Sequence, residues 1–146
     1  MVTGIIPKIG NFSRMVMPLD IRQTNRYLRK RQQEFRRAAE VVAEELAELL
    51  QVQKVVLFGS VAMPLQKEIP RFRGYRREHI AVWHECADVD LVVWLSDLDH
   101  LKSLQRARSR VLNELLEAEE IGVAHHQVEI FLMDADRYLG RLCHFG

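Results

Sequence analysis

Apolar positions in the first third of the chain recur at a helical period. Leu28, Phe35, Ala39, Val42, Leu46 and Leu49 fall at steps of three and four and one of seven, with no proline or glycine between Asp20 and Gln51. Gln23 follows Asp20 at the spacing of a capping box, so a helix is predicted over 20–51. The pattern then shortens. Val55 to Phe58 is a β-branched and aromatic run, predicted as a buried strand that Gly59-Ser60 ends. Pro64, Pro70 and Gly74 break the next segment, which reads as an insertion over 63–86. Val89 to Leu95 predicts a second strand. Ser96, with Asp99 three residues on, caps a helix whose apolar face is Leu101, Leu104, Val111, Leu112 and Leu115 and which ends near Gly122. Gln127 to Met133 predicts a third strand, and Asp134 or Asp136 starts a last short helix through Leu142.

Strands alternating with helices predict an α/β (α+β) fold, a small mixed sheet with helices packed on it. Residues 1–19, with Gly4, Pro7, Gly10 and Pro18, read as an irregular arm, and 20–146 as one domain. The arm has no continuous apolar run, so neither a secretory signal nor a membrane span is expected.

Charge and cysteines narrow the field. A net charge of +1 gives no global attraction to nucleic acid or anionic lipid. Two distant cysteines, Cys86 and Cys143, suit a reducing compartment, and a cytoplasmic chain is expected. The long helix is basic in its first half (Arg22 to Arg37) and acidic in its second (Glu40 to Glu48). That order opposes the macrodipole. It fits a solvated face with pairs such as Arg36–Glu40, a basic end used for binding, or antiparallel pairing of two copies.

The chemistry starts from ADVDLVVWL. Side chains alternate along a strand, so Asp88 and Asp90 point the same way. Glu129 is the acid among Val128, Ile130, Phe131 and Leu132 in the third strand. If the two strands are neighbours, three carboxylates share one face, repel one another and rise in pKa. A hard divalent cation resolves this, because Mg²⁺ takes a few carboxylates plus water and phosphate oxygens. Gly59 at the end of a strand lets the backbone approach a ligand, and the turn amides with the Ser60 hydroxyl suit phosphate oxygens.

VVLFGS, ADVDLVVWL and HQVEIFL, in this order and each on an apolar strand, resemble the signature of the nucleotidyltransferase superfamily, the DNA polymerase beta-like fold, and most closely its minimal single-domain members. The resemblance covers roughly residues 46–134. It implies that Asp88 and Asp90 hold two Mg²⁺ ions, with Mn²⁺ as a substitute. It implies that Glu129 completes the ion that activates the acceptor hydroxyl and assists its deprotonation, and that Gly59 and Ser60 hold the triphosphate of an NTP such as ATP. The implied reaction moves a nucleoside monophosphate to a hydroxyl of a protein or nucleic acid and releases pyrophosphate. The acceptor would come from a partner, as in minimal members that pair with a helical protein in toxin–antitoxin-like systems. Where those members continue with a small residue, an arginine and a glycine, this chain has Val61-Ala62-Met63-Pro64. Arg71, Arg73, Arg76 and Arg77 of the insertion are the stand-ins for phosphate or acceptor contacts.

The alternative is a nucleotide-binding or regulatory module that works through a partner without transfer. Arginines interleaved with Phe72 and Tyr75 also suit single-stranded nucleic acid. Arg106, Arg108 and Arg110 are expected to face solvent. His84-Glu85-Cys86 cannot converge on one tetrahedral ion, His125-His126 leads into the third strand, and Cys143-His144 reads as a plain tail or half a zinc knuckle. Neither a P-loop nor a GxSxG motif occurs.

Overall fold

Among the described residues, four strands make one mixed sheet in the order of the chain: β1 (Val52–Phe58), β2 (Val89–Leu95), β3 (Val128–Asp134) and β4 (Arg137–Arg141). β1 and β2 are antiparallel, β2 and β3 parallel, β3 and β4 antiparallel. The parallel pair needs a crossover, which α2 (Leu101–Glu119) supplies. The other helix, α1, spans Pro18–Ala47. The structure is a computed structural model that describes residues 18–65 and 86–145, with side chains from residue 22. Arg71, Arg73, Arg76, Arg77, His84 and Glu85 lie outside the described residues, as does the arm through residue 17. The chain divides into two compact units, Lys30–Pro64 with Glu85–Gly146, and Met1–Arg29 with Leu65–His84. The sheet, α2, Gly59-Ser60 and the three acids belong to the first.

Two helices on a four-stranded mixed sheet are the α+β class that the alternation predicts. The core lies on one sheet face. Val89, Leu91, Val93 and Leu95 of β2 and Val128, Ile130 and Leu132 of β3 are buried at every second position. Against them α1 brings Phe35, Ala38, Ala39, Val42 and Leu46, and α2 brings Leu104, Ala107, Val111, Leu112 and Leu115. The step of seven between Leu28 and Phe35 is filled by Gln32, which is buried and donates from Nε2 to the carbonyls of Val61 (3.3 Å) and Met63 (2.7 Å). A buried amide is tolerable because it has these acceptors.

Several boundaries differ from expectation. α1 starts at Pro18, ahead of Asp20, since proline suits the first helical turn, and it stops at Ala47, short of Gln51. β1 is longer than expected and, among the described residues, is an edge strand, not a buried one; Val56 and Phe58 stay exposed because they stand on the sheet face that the helices leave uncovered. α2 begins at Leu101 after His100 in the left-handed region, and Ser96 caps nothing: its Oγ donates to the Gln51 carbonyl. The expected last helix is instead β4. Ala135, at φ 55, helps turn the chain back, and the open edge of β3 offers backbone partners that a short helix would leave unused.

Two charge expectations also change. Arg36 does not pair with Glu40; its Nε donates to the Val61 carbonyl at 2.8 Å. Glu40 pairs with Arg37, which also holds Glu119 of α2 at 2.8 Å, and Arg110 reaches Glu45 at 2.6 Å. Arg108 does not face solvent but is buried. Cys86 and Cys143 are both free thiols, buried and exposed respectively. Among the described residues no helix is long and apolar enough to cross a membrane.

Candidate active site

The second sheet face carries the complementary residues in three rows. Phe58, Asp90 and Glu129 stand side by side across β1, β2 and β3. Val56, Val92, Phe131 and Arg141 form the next row, and Lys54, Trp94, Met133 and Tyr138 the third. Rings meet across the strands, Phe58 on Phe131 at 5.2 Å and Phe131 near Tyr138 at 6.4 Å, while the Lys54 ammonium lies 4.7 Å from the Trp94 ring centre.

Asp90 and Glu129 are Cα partners in the parallel ladder, so alternation puts both carboxylates on this face. Asp88 lies just before β2, exposed, and close enough for its charge to act on Asp90. Burial raises the Asp90 pKa above the usual aspartate value, and Glu129 and then Asp88 push it the same way. Arg141 opposes them. Its Nη1 pairs with Glu129 Oε1 at 3.1 Å, and its guanidinium lies 5.2 Å from the Phe131 ring centre.

Gly59 closes the site from β1. It has φ 81 and ψ −163, a conformation essentially restricted to glycine. A Cβ built there would collide with Asp90 Oδ2 and stand 3.3 Å from its Cγ. The absent side chain is the room the carboxylate uses. Ser60 then starts a short 3₁₀ turn, Ser60–Ala62, whose Val61 side chain is fully buried. Gln32 and Arg36 of α1 grip the carbonyls of this turn, and the Cys86 thiol lies 3.8 Å from the Ser60 carbonyl. The Gly-Ser bend is therefore anchored from the helix and from the residues leading into β2.

The structure thus brings together Gly59, Asp90 and Glu129, with Asp88 at the margin. Oxygen donors of this type fit a hard divalent cation, and a raised carboxylate pKa is what such an ion would relieve. Among the described residues, however, no group of three His, Cys, Asp or Glu side chains is arranged as ready ligands for one ion. Sequence reasoning missed Gln32, Arg36 and Arg141. Gln32 had a signal, since a polar residue on an apolar stripe asks for buried acceptors. Arg141 had none while its segment read as helix.

No family model matches the chain, and neither does any curated protein or solved structure.

Proposed function

We infer that the protein is a nucleotidyltransferase that moves a nucleoside monophosphate from an NTP to a hydroxyl acceptor on a protein or nucleic acid. The observation that carries this is the grouping of Gly59, Asp90 and Glu129: a glycine bend pressed against one carboxylate, with a second carboxylate in register beside it, on the face that the core leaves open. Asp88 and Asp90 would hold Mg²⁺, which when bound supplies charge neutralisation at the phosphate oxygens. The Gly59-Ser60 bend orients the phosphate chain through backbone amides and the Ser60 hydroxyl. Glu129 accepts the proton of the attacking hydroxyl as its oxygen bonds to the α-phosphorus and the bond to pyrophosphate breaks. Arg141 pairs with Glu129 in the resting site and offers a guanidinium to phosphate once that pair opens.

A labelled-transfer assay with each α-labelled NTP, Mg²⁺ and cell extract as acceptor source tests the reading. Asp88→Asn and Asp90→Asn should abolish transfer in chains that remain folded, and Glu129→Gln should lower it by roughly 10²–10⁴-fold. Full activity in either aspartate variant refutes the assignment. A second reading, a nucleotide-binding module without transfer, is favoured by the Arg141–Glu129 pair, which already occupies the proposed base. Calorimetric binding of NTP with Mg²⁺ and no labelled product in any extract would select it.

A further inference from the structure

Where β3 leaves the His125–Gln127 turn, a cavity of about 440 Å³ opens between that turn, α2 and the chain around the end of β4. This lies within the roughly 300–1,000 Å³ span of small-ligand sites. Its lining is rich in cations and donors: Arg108 and Ser109 from α2, Arg141 from β4, and His125 and His126 from the turn. The one carboxylate on its wall, Glu129, is engaged by Arg141 at 3.1 Å.

Arg108 is the decisive member. Only 8 % of it is exposed, and among the described residues it has no carboxylate partner. Its Nη1 donates to the Val128 carbonyl at 2.9 Å, and its Nε is buried with no acceptor. A guanidinium out of water beside one neutral carbonyl is costly, and an apolar residue would fill the same place between Leu104, Ala107, Val111 and Leu112 more cheaply. The surplus of charge is accounted for if an anion completes the site.

We propose that this cavity binds a phosphate group, free or as a monoester, between the guanidiniums of Arg108 and Arg141, the Ser109 hydroxyl and the imidazoles of His125 and His126. Phosphate fits better than carboxylate because its several acceptor oxygens and higher charge match two guanidiniums and the added donors. The site shares Arg141 and the neighbouring Glu129 with the transferase reading, but it needs neither NTP, Asp88 nor Asp90.

Titration calorimetry of the full chain in chelator, with inorganic phosphate, phenyl phosphate and acetate in turn, tests it. One phosphate per chain is expected, both for the natural sequence and for the Asp88→Asn/Asp90→Asn double variant. Arg108→Met should weaken binding at least tenfold. Since that variant also loses the Val128 hydrogen bond, Ser109→Ala/His126→Ala provides a second test in residues that the core does not use, with the same direction of change. Phenyl phosphate binding tighter than inorganic phosphate identifies a monoester ligand, and the reverse order identifies the free ion. Failure of both phosphates to bind, unchanged affinity in a folded Arg108→Met and in the double Ala variant, or equally tight acetate would each overturn the proposal. Phosphate binding without nucleotide transfer, or transfer without phosphate binding, separates this conclusion from the preceding one.

Discussion

β2 and β3 build two unlike surfaces from alternate residues. On one face Val89, Leu91, Val93, Val128, Ile130 and Leu132 are sealed beneath two helices; on the other Asp90, Val92, Trp94, Glu129, Phe131 and Met133 are only partly covered. A strand that has to be apolar on one side is free to be chemical on the other, and a one-residue slip of register would exchange the two. The parallel pairing of β2 with β3 is therefore both the centre of the core and the reason Asp90 meets Glu129. The largest test of this division is a pair of truncations one residue apart. Leu91→Ala should cost about 2–5 kcal/mol, because the side chain is fully buried and its loss leaves a cavity. Val92→Ala, facing the open side, should cost well under half as much. Urea unfolding of both variants measures the ratio, and equal costs would mean that the two faces do not differ as described.

This division also explains how much could be read from the chain. β2 was legible to the residue, since Val89 to Leu95 is an unbroken apolar run bounded by Asp88 and Ser96. The same holds for α2's stripe from Leu104 to Leu115 and for the joint placement of Asp90 and Glu129, which alternation alone predicts once the strands are neighbours. β4 was not legible. Arg137 to Arg141 has neither the length nor the β-branched content of a strand, and it becomes one because β3 presents an edge to it. Arg141 went unseen as a site residue for the same reason. Arg108 defied expectation more deeply: charge argues for solvent, yet its helical position falls on the buried stripe and its partner is a backbone carbonyl that no sequence pattern reveals. The anchoring of the Gly-Ser bend by Gln32 and Arg36 likewise depends on carbonyls some 25 to 31 residues away.

The next test sharpens the contact between β1 and the open face. Gly59→Ala should destabilise by about 1–3 kcal/mol, because an alanine is strained at φ 81, ψ −163 whatever space is available. Its Cβ would also push the Asp90 carboxylate from its place. Nucleotide transfer should fall more steeply than the folded fraction does. A stability loss with unaltered transfer per folded molecule would show that the glycine serves the backbone alone and not the carboxylate.

The smallest expected effect concerns the charge that the open face tolerates. Asp90's pKa is raised in the folded state, chiefly by burial and then by Glu129 and Asp88, so the folded protein binds its proton more tightly than the unfolded chain does. By linkage the penalty is absent below the ordinary aspartate value of 3.8, grows as pH rises past it, and is complete once pH exceeds the raised folded value. Metal-free Asp90→Asn, which cannot ionise, should therefore melt above the natural sequence at neutral pH, and the gap should close as pH falls toward 3.8. Asp88→Asn removes a more exposed charge that acts on Asp90 only through space, so its gain should be smaller. Thermal melts from pH 7 downward, in chelator, read both. If Mg²⁺ neutralises the site, adding it should raise the melting temperature of the natural sequence and leave Asp90→Asn behind, reversing their order. An Asp90→Asn variant less stable than the natural sequence at pH 7 without metal would mean that the carboxylate makes a stabilising bond in the resting protein, and that the open face is held together by its charges rather than strained by them.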